Sequence, residues 1–211
     1  MSHETLIAQL ARDVTPVTPL PAPQVRVARW VGVALVAVVA GVSMLGLRSN
    51  WSLVMSDPGF LGTVALILAT GLVSALVALA LSVPGMVSEW WVRWTPVALL
   101  GMWGSVLLFE VLSSGTSLIP ARAGAGCLWK TYGIAVGPAA VLVWLAGRAA
   151  PLDWRWTGSL AALAALSFGV LGTELICPIT GHGHLFTWHF LPVATMTVAA
   201  FAGAALVTRL R

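Results

Sequence analysis

Charge is what this chain has least of. Its 211 residues include only 11 Lys and Arg and 7 Asp and Glu, or 9% together, where soluble domains carry about a quarter. With 59% hydrophobic residues and a mean hydropathy of +0.95, an ordinary water-soluble domain is excluded. Cysteine is nearly absent as well, and the two present, Cys127 and Cys177, form no Cys-x-x-Cys. A membrane thiol oxidase needs that motif for fast intramolecular exchange. No Gly-rich phosphate loop follows a strand pattern, and the polar part of the chain is too small for a nucleotide-binding domain. No clear internal repeat of the kind that marks many transporters appears, and the intramembrane acids sit toward span ends and not the midplane; transport stays open as an alternative. No cleavable signal peptide is visible, because the first apolar run begins behind a polar, proline-bearing segment and is long enough to span. The net charge of +4 does not read as direct nucleic-acid binding, since cations in so apolar a chain flank membrane spans.

What is present is a series of long apolar runs, at approximately 30–47, 60–83, 94–112, 133–147, 158–176 and 185–207. They predict an all-α polytopic membrane bundle of about six transmembrane helices. The fourth run is short, closely bounded by Tyr132 and Arg148. Small residues recur inside the runs (Gly71, Ser74 and Ala78; Gly101 and Gly104; Gly169 and Gly172), as close helix approach in lipid requires. Trp30, Trp51, Trp90, Trp91, Trp94, Trp129, Trp154 and Trp156 fall at run ends and read as an aromatic belt. Eight of the 11 cations lie on one side if the N-terminus is inside, which predicts an N-in, C-in topology.

The chain divides into a tail, residues 1–29, and a membrane domain, residues 30–211. In the tail Leu6, Ile7, Leu10, Ala11 and Val14 recur at helical spacing, so a short amphipathic helix is expected. Pro16, Pro19, Pro21 and Pro23 then make an extended linker. About three turns of helix are marginal alone in water, so the segment lies on a membrane or folds into a partner's groove.

That topology gathers the reactive side chains at the non-cytoplasmic face. Cys127 lies in the loop after the third run and Cys177 at the end of the fifth, with Glu110 and Glu174 near the same ends. His182, His184 and His189 follow within a dozen residues of Cys177. Intramembrane carboxylates are costly and mark a protein interior or water pocket; pairing of Glu110 and Glu174 with Arg122 and Lys130, or helix capping, is the plainer account. The cysteines fit a structural disulfide, a redox-switching pair, or ligands of a thiophilic metal. The donor set for such an ion is Cys127, Cys177, His182, His184, His189 and Glu174. No cofactor is required, and the metal ion enters as a signal.

Several short motifs in order resemble a known family. They are Leu6-Ile7-x-x-Leu10 followed by Asp13-Val14-Thr15-Pro16-Val17, and Cys127-Leu128 before the fourth run. Ala150-Pro151-Leu152 with Gly158, and Cys177-Pro178 with Trp188-His189, complete the set. Together they resemble the bacterial six-span anti-sigma factors typified by the negative regulator of sigma-F (NrsF-like). The resemblance implies a non-enzymatic protein of the bacterial inner membrane whose cytoplasmic tail binds an extracytoplasmic-function sigma factor. Leu6, Ile7, Leu10, Asp13, Val14, Pro16 and Val17 would make that contact, and Cys127 and Cys177 would sense metal or oxidative stress. One departure stands out: the family often has acidic residues after the second Cys-Pro, where this chain has Ile179-Thr180-Gly181-His182-Gly183-His184. The alternative class is a small membrane transporter or thiol-redox protein using the outer Cys/His/Glu cluster.

Overall fold

The computed structural model describes residues 3–12, 19–87, 89–115 and 124–209, with side chains described through 206. Helix α1 (His3–Arg12) buries none of its residues, and among the described residues six helices are long and apolar enough to cross a membrane. These are α2 (Pro23–Leu45), α4 (Pro58–Leu81), α5 (Trp90–Ser114), α6 (Ala125–Gly147), α7 (Trp154–Ile176) and a last rod running from His182. A short turn of helix, α3 (Trp51–Val54), sits between α2 and α4. The last rod is built from α8 (His182–His184), a π turn over Leu185–Phe190, and α9 (Leu191–Arg209). Among the described residues there is no strand, so the expected all-α bundle is the architecture found.

The helix starts explain where hydropathy misplaces the boundaries. The apolar run begins at Trp30, yet α2 begins at Pro23, which occupies the first helical turn. That position has no intrahelical use for an N–H, and proline's fixed φ suits it. Pro23 therefore opens the span rather than closing the linker. Asp57 caps α4 by accepting from Gly59 N and Phe60 N, with Pro58 first in the helix. Asp153 caps α7 through Arg155 N and Trp156 N. The fourth span is not short: α6 starts at Ala125 and carries Trp129, Lys130 and Tyr132 as its first two turns. Polarity at a helix end lowered its hydropathy without breaking its backbone.

Helix α7 is the centre, almost wholly buried, with α2, α4, α6 and α9 packed round it. Close approach depends on missing Cβ atoms. Gly71 of α4 faces Phe168 and Ser167 at 3.1 Å, and Gly172 of α7 faces Ile134 and Val38. Gly169 lies against the carbonyl oxygen of Thr131 and the Cβ of Ala135. Gly101, by contrast, faces open space. Ser74, Ser167 and Thr70 each donate to the carbonyl four residues back, so their hydroxyls need no partner across the interior. The outside is apolar, with Val36, Val39, Met44, Phe109, Leu112, Val136 and Val198 exposed.

Trp30 is not part of the aromatic belt. It is fully buried, donates Nε1 to Pro138 O at 2.8 Å and meets Phe168 edge-on with ring centroids 5.2 Å apart. Trp90, Trp91, Trp94 and Trp129 remain exposed. One turn before Trp30, the buried Arg26 donates to Leu79 O, to Ser82 Oγ and to Leu145 O, joining α2 to the last turns of α4 and α6. Carbonyls at a helix C-terminus carry partial negative charge, which suits a guanidinium there. The end of the bundle that receives the tail is thus tied by one side chain.

Candidate functional site

At the opposite end three segments converge. Cys127 stands in the first turn of α6, not in a loop before it, and is buried. Cys177 is the residue that ends α7, its backbone N–H returning to Thr173 O at 2.7 Å. The two thiols are free, with Sγ atoms 3.3 Å apart, Cys127 donating to Cys177. His184 Nε2 lies 3.6 Å from Cys127 Sγ and 3.5 Å from Cys177 Sγ. Hydrogen bonds aimed at Cys177, from Cys127 first and then His184, hold its thiol below the ordinary range against the opposing pull of burial.

The π turn brings a second imidazole to the same place. At 100° per residue an α-helix would set residues 184 and 189 about 140° apart. A turn with i→i+5 bonding winds less per residue and narrows that angle, and the two rings sit 5.2 Å apart. His189 is fully buried; its Nδ1 faces Glu174 Oε1 at 2.7 Å, while its Nε2 has no hydrogen-bond partner. One ligand atom from each of Cys127, Cys177, His184 and His189 fits within 4.8 Å of the others.

The other two residues of the expected donor set lie outside this group. His182, two residues before His184 and so on the far side of the turn, pairs through Nδ1 with Glu110 Oε2 at 2.9 Å and is partly exposed. Glu174 is buried and bonded to His189, behind the cluster. Among the described residues both carboxylates are partnered by histidine and neither pairs with Lys130; Arg122, the other cation the sequence offers, lies outside them.

Three supports are all but invisible in the sequence. The hydroxyls of Thr131 and Thr173 meet at 2.9 Å one turn below the thiols. Gly124 lies where a Cβ would strike the Trp188 ring. Arg48, buried in the loop after α2, donates to Glu174 O at 3.0 Å and to Asn50 Oδ1 at 2.8 Å, while Asn50 Nδ2 reaches Pro178 O. Arg48, Asp57, Glu110, Glu174 and His182 line a cavity of about 280 Å³ beside the cluster. The spacing Thr131 to Cys127 and Thr173 to Cys177, four residues each, was the one available hint.

In the tail, α1 leaves Leu6, Ile7 and Leu10 exposed and buries nothing. Asp13, Val14, Pro16 and Val17 lie outside the described residues.

A family profile described as negative regulator of sigma F matches residues 10–210, nearly the whole length. The chain belongs to that family. No curated protein and no solved structure matches it. As a member of the negative regulators of sigma F, the chain is a negative regulator of a sigma factor, and a sigma factor is its partner. The family match takes in Leu10 and both cysteines, with Leu6 and Ile7 just before it.

Proposed function

We propose that this chain is an anti-sigma factor of the bacterial inner membrane, which sequesters an extracytoplasmic-function sigma factor through α1 and the residues after it. It releases that factor when Cys127 and Cys177, facing the periplasm, meet a metal ion or an oxidant. One observation supports this reading above the rest. An apolar face made by Leu6, Ile7 and Leu10 stands unpartnered, while the buried thiols sit at the bundle end away from the start of α2.

The two ends communicate through α6. Its first turn holds Cys127, and Leu145 near its end accepts from Arg26, which is in the first turn of α2. The two positions are roughly 27 Å apart at 1.5 Å per residue. A signal shifts such a bundle only by its differential affinity for two packings. A difference of about 2–3 kcal/mol changes sigma occupancy roughly 30- to 150-fold.

Co-purification of sigma with the full-length protein tests the binding half. Leu6→Asp with Leu10→Asp places two carboxylates on the apolar face and releases sigma constitutively; sigma retained by that double variant removes the proposal. Deleting residues 1–22 also separates this reading from a transporter or oxidoreductase, whose activity would survive the loss.

A further inference from the structure

We propose that Cys127, Cys177, His184 and His189 form a four-coordinate site for a thiophilic metal ion, with Glu174 fixing the orientation of His189. This rests on the sensing reading above and commits it to a metal ion over an oxidant.

The geometry favours an ion over a disulfide. Two thiolates and two imidazoles around one ion, at about 2.3 Å for sulfur and about 2.0 Å for nitrogen, leave ligand atoms roughly 3.3–3.8 Å apart, the sulfurs at the upper end. The separations among the first three ligands are 3.3 Å between the sulfurs and 3.6 and 3.5 Å from Cys127 Sγ and Cys177 Sγ to His184 Nε2. His189 completes a set that lies within 4.8 Å, so its ring closes by up to about 1 Å on binding. The sulfurs need to part by only about half an ångström to reach that spacing. A disulfide would instead bring them to about 2.0 Å and give neither histidine anything to do.

His189 carries the second, independent indication. A fully buried imidazole nitrogen without a partner is costly, and Nε2 of His189 is one. Its other nitrogen is held by Glu174, the carboxylate–histidine arrangement that fixes tautomer and ring direction at metal sites. With Nδ1 committed as the donor, Nε2 presents its lone pair to the cluster. The π turn, an arrangement frequent at functional sites, is what places it there.

The donor set names the ion class. Two sulfurs and two imidazoles suit zinc, cadmium or cuprous copper; magnesium and calcium require oxygen ligands, and the carboxylate buried beside the cluster, Glu174, is already engaged. Binding is a ligand exchange without redox change: the ion takes the two sulfurs and two ring nitrogens, and each thiol releases its proton. The ion then joins the first turn of α6, the end of α7 and the π turn, adding to the thiol contacts and the Glu174–His189 bond that already bring them together.

The test uses the full-length reduced protein in nanodiscs, titrated with Cd²⁺ and with Co²⁺. The expected result is one ion per chain, a cadmium–thiolate charge-transfer band, cobalt ligand-field bands of tetrahedral intensity, and no competition from Mg²⁺. Cys127→Ser and Cys177→Ser weaken the charge-transfer band, and His184→Ala and His189→Ala change the cobalt spectrum. Glu174→Gln keeps the bands and loses 10- to 100-fold in affinity, whereas His182→Ala matches the wild type. Absence of the bands in the wild type overturns the site, as does unchanged binding in both His184→Ala and His189→Ala. If an oxidant releases sigma while Cd²⁺ does not bind, the metal inference falls and the sensing reading survives. If neither Cd²⁺ nor an oxidant changes sigma occupancy, the sensing reading falls, whatever the spectra show.

Discussion

Helices α6 and α7 face each other as a ladder, and its third rung offers a way to move the first. Cys127, Thr131 and Ala135 follow at four-residue spacing on α6, and Cys177, Thr173 and Gly169 do so on α7. The thiols meet at the top, the threonine hydroxyls at 2.9 Å below them, and Gly169 lies against Thr131 O and Ala135 Cβ at the bottom. Gly169→Ala puts a methyl group onto a backbone oxygen, which cannot swing aside as a side chain would. Overpacking of this kind costs about 1–3 kcal/mol, while Ala in place of Gly inside a helix returns about 1 kcal/mol. Gly101→Ala supplies the control, because its new Cβ meets nothing within 4 Å. The propensity gain cancels between the two, leaving about 1–3 kcal/mol of steric cost to Gly169→Ala. Thermal unfolding in detergent reads that difference. Oxidant-driven cross-linking of Cys127 to Cys177 reads its reach, roughly 12 Å up α7, and slows in Gly169→Ala alone. Equal stability and equal cross-linking rates in the two variants would refute the ladder.

Three further outcomes follow from the same contacts. Arg26→Met leaves Leu79 O, Ser82 Oγ and Leu145 O without their charged donor; at about 1.5–3 kcal/mol for a bond to a charged group, the unfolding midpoint in detergent falls, and Arg26→Lys restores part of it. Trp30→Phe keeps the edge contact with Phe168 but drops the bond to Pro138 O, costing about 1 kcal/mol in the same assay. A membrane-impermeant thiol reagent labels Cys127 and Cys177 from outside intact cells only slowly, because they are 4% and 1% exposed; in Thr131→Val with Thr173→Val, which loses the hydroxyl pair below them, labelling accelerates. Rapid labelling of the wild type contradicts the burial.

Apolar length was readable, and so the six spans were; the ends of those spans were not. Pro23 looks like a terminator until its place in the first turn is known, and Lys130 and Tyr132 look like a boundary although the backbone stays helical through them. Trp30 reads as an interface tryptophan because hydropathy registers its position along the helix and not which side it presents. The converging residues followed from sidedness: Cys127, Cys177, Glu174 and the histidines all fall near ends of runs that share one face. Which of them touch did not follow. A π turn has no composition of its own, so nothing in Leu185–Phe190 announced that His189 would join His184 while His182 turned away to Glu110. Arg48, distant in sequence and unremarkable in a loop, could be placed only by the fold.

The near-complete enclosure of α7 has a consequence for how the protein is made. The fifth span to emerge from the ribosome finishes with scarcely any lipid contact, so it enters the bilayer as a stranger and becomes a mast only when its neighbours sheath it. The final rod completes that sheath and also delivers both imidazoles. A nascent chain stopped before residue 182 would therefore leave one side of that mast open to the membrane and lack half the cluster, giving quality-control proteases a clear mark of incompleteness. Assembly of the bundle and assembly of the Cys/His cluster are one event.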